Sequence, residues 1–127
     1  MPKMSRESAP QINDQGPADD RRGDLDGFTF NFVTLRQDSD LAPLLIGLPD
    51  DLCPCPHWGY MFKGKLTVRY KDHEEVYEGG DAFYMSPGHA PAAAAGSEFL
   101  IMSPADELAP ITAAMERNAQ ELQRPAR

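Results

Sequence analysis

No uninterrupted apolar run in these 127 residues approaches the roughly 20 that a membrane-crossing helix needs. Basic side chains are scarce too: 12 Lys and Arg stand against 20 Asp and Glu, a formal net charge of −8. Nucleic acid and anionic membranes are bound through clustered Lys and Arg, so this balance excludes both as expected partners. The stretch from Met1 to Asp26 has no apolar core of the kind a secretory leader requires, which makes the cytoplasm the expected location. Cysteine is limited to Cys53 and Cys55, on either side of Pro54. In an extended segment alternate Cα atoms lie about 6.5–7 Å apart, at or beyond the usual disulfide limit, so two free thiols are expected.

Hydrophobic residues make up 41% of the chain, enough for the core of one domain. They are unevenly placed. Residues 1–26 are rich in Pro, Asp, Arg, Gln and Ser with almost nothing large to bury, the composition of a disordered N-terminal tail. At Phe28 the pattern changes, because Phe28, Phe30 and Phe32 alternate with Thr29 and Asn31 at the period of a half-buried strand. Further strand-like runs follow at His57 to Phe62, Leu66 to Tyr70, Glu75 to Tyr77, Ala82 to Met85 and Glu98 to Met102, each ended by turn residues. No helical pattern separates them, so the expected class is all-β, a sandwich or barrel over residues 27–103.

Residues 104–127 read as a C-terminal helix and tail. Ser103 is placed as N-cap, Pro104 at the first helical position, and Asp106 and Glu107 at the positive end of the dipole. Leu108, Ile111, Met115, Ala119 and Leu122 then form one apolar stripe, with Pro110 expected to kink or interrupt it.

The chemistry-bearing residues cluster in two stretches. In the first, Asp51, Cys53, Cys55 and His57 all fall on odd positions, and an extended backbone points them to one face. Thiolate and imidazole suit zinc, and a carboxylate can join them. In the second, Gly80-Asp81 leads to Pro87-Gly88-His89. Each residue also has a plainer reading. A free cysteine is often simply buried, a histidine after Pro-Gly can bond a backbone carbonyl, and Asp51 after Pro49-Asp50 suits a turn. Parity alone leaves Cys55 open as a substitute for Cys53.

These two stretches resemble the motifs of the cupin superfamily, HxHx(3,4)Ex(6)G and GDx(4)PxGx(2)H. Gly64 matches the closing glycine of the first; His57 stands at the glutamate, Cys53 at the second histidine and Asp51 at the first. In the second, Gly80-Asp81 and Gly88 match, Ser86 stands for the proline and Pro91 for the last histidine, with His89 two residues before it. The whole pattern is similar to that of small single-domain bacterial cupins. The resemblance implies a cupin double-stranded β-helix, a jelly-roll-like barrel, in which Cys53, His57, His89 and Asp51 converge on a divalent metal ion, zinc favoured over iron. It also implies that cupins' habit of pairing sheet to sheet extends to this chain.

If His57 points inward, Met61, Phe83 and Met85 line a pocket for a small, largely apolar ligand, and Trp58, Tyr60 and Phe62 point outward as an aromatic row suited to a homodimer. Two functions are therefore expected in competition. One is a metal-dependent isomerase, lyase or oxygenase on a small molecule; the other is a non-catalytic small-ligand-binding module.

Overall fold

A computed structural model describes residues 2–123. Ten strands form two antiparallel sheets: β1 (Gln11–Gln15), β2 (Ala18–Leu25), β3 (Phe28–Leu35), β4 (Ser39–Asp40), β5 (His57–Lys63), β6 (Lys65–Arg69), β7 (Glu74–Glu78), β8 (Ala82–Met85), β9 (Ala90–Ala93) and β10 (Glu98–Pro104). The six-stranded sheet has the order β1-β2-β3-β10-β5-β8 and the four-stranded sheet the order β4-β9-β6-β7. The helix α1 (Ala105–Leu122) follows β10 directly. The strand runs read from alternation are all present. Two sheets facing one another around a shared core make a jelly-roll barrel, as the all-β expectation required.

The core follows from the period of two. Met61, Leu66, Val68, Met85 and Phe99 point inward from four strands and are buried together with Leu35, Tyr77, Phe83 and Ala93. Tyr77 stacks on Phe83 at 4.5 Å. Gly59 makes this possible: a Cβ there would lie 2.4 Å from Phe83 Cζ and 2.3 Å from the Leu100 carbonyl, so the Phe83 ring occupies space that any larger residue would claim.

The N-terminal tail is where the structure departs most from expectation. Residues 11–15 and 18–25 are strands, and β2 pairs with β3 along its whole length, from Ala18 opposite Leu35 to Leu25 opposite Phe28. The turn between them is Asp26-Gly27, with φ +50° and +85°. Positive φ at both central residues defines the two-residue turn whose twist matches that of paired strands, and Asp-Gly is its preferred sequence. Polarity hid β2, because its side chains serve something other than a hydrophobic core. On its outer side Asp19, 4% exposed, accepts hydrogen bonds from Arg6 Nη2 at 2.6 Å and Arg21 Nε at 3.1 Å. Gly23 lies under Met4 and Pro10, where a Cβ would meet side-chain atoms at 2.5–2.6 Å. The segment before β1 is thus laid over the sheet.

The helix also differs in detail. Ser103 belongs to β10 and is fully buried, Pro104 takes the cap position, and no side chain caps the first turn. The helix passes through Pro110 as one element. Pro110 sits in the second turn and is exposed, so the ring removes one bond to the Asp106 carbonyl near the helix start, where solvent is at hand. Ile111 and Ala114 are buried, with Leu108 and Met115 packed beside Leu45, Cys53, Cys55 and Ala90. Asn118 Nδ2 donates to the carbonyls of Leu44 at 2.7 Å and Ile46 at 2.8 Å, fixing the helix to the segment before β5. Residues 124–127, the end of the expected tail, lie outside the described residues, as does Met1.

Candidate metal centre

The strand β5 begins at His57, whose ring points inward because His57, Gly59 and Met61 are buried while Trp58, Tyr60 and Phe62 between and after them are exposed. Cys53 is placed by a separate device. Its N–H donates to the His89 carbonyl at 2.8 Å, and its own carbonyl accepts from Gly88 N–H at 2.8 Å, an isolated antiparallel bridge that sets the two residues side by side. Gly88 has φ +90°, a backbone conformation that glycine adopts without a Cβ clash, and so turns the chain to deliver His89.

Cys53 Sγ, His57 and His89 therefore converge: one ligand atom from each lies within 4.8 Å of the others, and all three residues are buried. Cys53 Sγ is 3.8 Å from His57 Nε2, and the two imidazole centroids are 4.9 Å apart. Each ring is oriented through its other nitrogen. His57 Nδ1 lies 2.6 Å from the Ser103 hydroxyl, and His89 Nδ1–H donates to the Ser86 carbonyl at 2.6 Å. The plainer reading of His89, a carbonyl-bonded imidazole, is thus correct for one nitrogen. Its Nε2 is buried with no hydrogen-bond partner. An unpaired buried polar atom beside a thiol and a second imidazole nitrogen is a costly arrangement unless something fills the space between them. The donor set fits a divalent ion of zinc type.

The electrostatics agree with neutral imidazoles. Burial pushes His57 down to about 3, with nearby His89 adding to the effect. Burial also lowers His89, against the opposing bond to Ser86. The Cys53 thiol is raised by burial, which its backbone bond to Cys55 partly offsets. An incoming cation would meet two imidazoles already free of their second proton and would displace one from the thiol.

Asp51 does not join the group. It is exposed, its backbone has φ +57°, and its carboxylate accepts from Gly47 N–H at 2.9 Å to close a turn. The chain enters a one-turn 3-10 helix at Pro49–Asp51, which breaks the parity that an extended strand would have kept. Cys55 is free and buried but packs with Leu45 and Ile111 in the helix-side cluster, outside the ligand group. Burial pushes it up to about 12, with Cys53, Glu107 and Asp106 contributing.

The three side chains open onto a cavity of about 240 Å³ between the sheets, closed on one side by Leu108, Ile111, Thr112 and Met115 of α1. Met85 lines it. Met61 and Phe83 do not: both are buried in the packed core, the Phe83 ring lying against Gly59 and stacked on Tyr77. Three further lining residues escaped sequence reasoning, Asp20 and Arg22 on β2 and Asn31 on β3. The Arg22 guanidinium pairs with Asp20 Oδ2, and Asn31 Nδ2 donates to Asp20 Oδ1 at 3.0 Å. The Asp26-Gly27 turn was the available signal, since it implies a strand before Phe28.

A two-sheet jelly roll whose inner face carries the residues of both motif stretches is the fold of a cupin. Solved structures bear this out. The chain superposes on an RmlC-like cupin from Shewanella frigidimarina with a TM-score of 0.52 at 15% identity, covering 74% of this chain and 83% of that one. On the polyketide cyclase RemF from Streptomyces resistomycificus the TM-score is 0.56 at 14% identity, covering 82% and 79%. On a variant of Bacillus subtilis oxalate decarboxylase it is 0.58 at 16% identity, covering 80% of this chain and 28% of that much longer one. No family model matches the sequence, and no curated protein matches it.

Proposed function

We propose that the chain is a metal-dependent cupin acting on a small organic molecule, with Cys53, His57 and His89 as the ligands of a divalent ion. The observation that carries this reading is the buried, partnerless Nε2 of His89, within reach of Cys53 and His57. Three protein ligands and a cavity on the open side is the composition of catalytic rather than structural zinc sites, which surround the ion with four. One thiolate and two imidazoles favour zinc over iron. A bound zinc ion would supply Lewis acidity, polarising a substrate oxygen or activating water, so an isomerase or lyase step suits the site better than oxygen chemistry. The chain's own part is to hold the ligands rigidly from both sides, through Ser103 and the Ser86 carbonyl, and to exclude bulk water with α1.

Two supporting readings belong with it. Trp58, Tyr60 and Phe62 are 41%, 41% and 54% exposed on the outer face of the six-stranded sheet, next to exposed Tyr84 and Phe28. A sheet face of this kind is self-complementary, and a second copy of the chain packed on it gives a homodimer. A reducing cytoplasmic setting suits two free thiols. No helix among the described residues is long and apolar enough to cross a membrane.

The decisive experiment is elemental analysis by mass spectrometry of protein purified without added metal. One ion per chain is expected, lost in His57→Ala with retention of the β-type circular dichroism. Metal-free wild type that takes up none at neutral pH would leave a plain ligand-binding barrel as the better account.

A further inference from the structure

The cavity is apolar along most of its wall, with Val33, Leu35, Leu45, Met85, Phe99 and Ile101 among its residues, yet one ion pair, Asp20 with Arg22, lines it away from the Cys53, His57 and His89 cluster. Arg22 projects from β2 with a side chain 26% exposed, and its partner Asp20 is 19% exposed. Both oxygens of Asp20 are engaged, Oδ2 by Arg22 Nη2 and Oδ1 by Asn31 Nδ2. Asp20 therefore acts as a holder for the guanidinium. An arginine carries five N–H donors in a planar fork, and the pair with Asp20 uses one nitrogen of it. The Nε and Nη1 atoms of Arg22 make no hydrogen bond among the described residues, and Arg22 is part of the wall both of this cavity and of a cleft beside Ala105 and Thr112.

We infer that Arg22 is the anchor for a small, largely apolar monocarboxylate, whose carboxylate sits on the guanidinium fork while the rest of the molecule reaches towards Cys53, His57 and His89. Three observations converge on that class. The apolar wall selects a hydrocarbon or aromatic body. Arg22 offers the geometry that pairs with carboxylates in bidentate fashion. The charge balance asks for one negative charge: Asp20 and Arg22 cancel, and a divalent ion with one thiolate leaves one positive charge in the cavity. The spacing is also that of a small molecule. Strand β2 is separated from β5 by β3 and β10, three spacings of about 4.8 Å each, which inward-reaching side chains shorten from both ends.

This inference rests on the metal reading for its charge balance only, and the experiment separates the two. The full chain, metal-loaded and chelator-treated, is titrated calorimetrically with benzoate and hexanoate, each beside its neutral amide. The expected result is at least tenfold tighter binding of the carboxylates by the loaded protein. The double variant Arg22→Gln with Asp20→Asn, which removes both charges together and leaves neither buried alone, abolishes that preference while bound metal stays at the wild-type level. Arg22→Lys keeps the charge, loses the fork and falls between the two. A carboxylate preference that is absent, or that survives the double variant, overturns the assignment even if the protein holds its metal. A preference that persists in the chelator-treated protein, and disappears in the double variant, sustains Arg22 as the anchor and overturns only the charge-balance argument.

Discussion

His57 Nδ1 and the Ser103 hydroxyl lie 2.6 Å apart, 46 residues distant in sequence and on neighbouring strands. With Nδ1–H donating to that oxygen, the ring is held with Nε2 facing Cys53 Sγ. Such partners of a ligating histidine typically contribute 10–100-fold to metal affinity. Ser103→Ala should therefore weaken metal binding by about one to two orders of magnitude in a competition titration against a chromogenic chelator, without removing a ligand. Unchanged affinity would mean that packing alone orients the ring.

The metal-free protein should lose stability as the medium is acidified. Burial lowers the folded-state pKa of His57 to about 3, against 6.5 for the free side chain. Between those values the unfolded chain binds a proton that the folded chain refuses. Stability from this group is thus complete above pH 6.5 and declines as pH falls towards 3, by up to about 1.4 kcal/mol per pH unit. Denaturant midpoints of the chelator-treated protein at a series of pH values should show that slope, and His57→Gln should flatten it.

The N-terminal segment should prove structural. Asp19 is buried against Arg6 and Arg21, so Asp19→Ala leaves two guanidinium groups without their carboxylate and should cost about 1–3 kcal/mol in urea unfolding. A cost near zero would mean that the segment before β1 adds nothing to the fold.

On the outer sheet face, Tyr60→Glu should convert dimers into monomers in light scattering, because the charge would be buried unpaired against the second copy. Wild-type protein that is already monomeric at tens of micromolar would remove the homodimer reading.

What the sequence disclosed and what it withheld divide along physical lines. Strand β6 announces itself by alternation because burial selects Leu66 and Val68, whereas β3 alternates in the opposite phase to the one expected: Thr29, Asn31 and Leu35 are buried, and Phe28 is exposed on the outer face. Cys53, His57 and His89 were legible through spacing, since a bridge and a strand preserve their common orientation. Asp51 was not, because it ends the 3-10 turn Pro49–Asp51 with φ +57°, so the extended parity does not reach it. The inner face of β2 carries Asp20 and Arg22, whose burial is tolerated only in each other's company. Such a strand looks like solvated chain until its partner is known, and composition alone points the wrong way.

The position of β10 has a consequence for how the molecule is made. It is the last of the ten strands among the described residues, yet it lies between β3 and β5 and hydrogen-bonds to both. On the ribosome the β1 to β3 meander can close through its two tight turns as soon as it emerges. It must then wait some 60 residues, with the β3 edge unpaired, before the strand that joins it to β5 arrives. An open edge held for that long invites pairing with another nascent chain, a hazard of folds whose central contacts are distant in sequence. Strand β10 and the helix behind it therefore convert two separate hairpin assemblies into one closed barrel once they emerge, and a chain stopped short of residue 98 would leave the ribosome as an adhesive half-sheet.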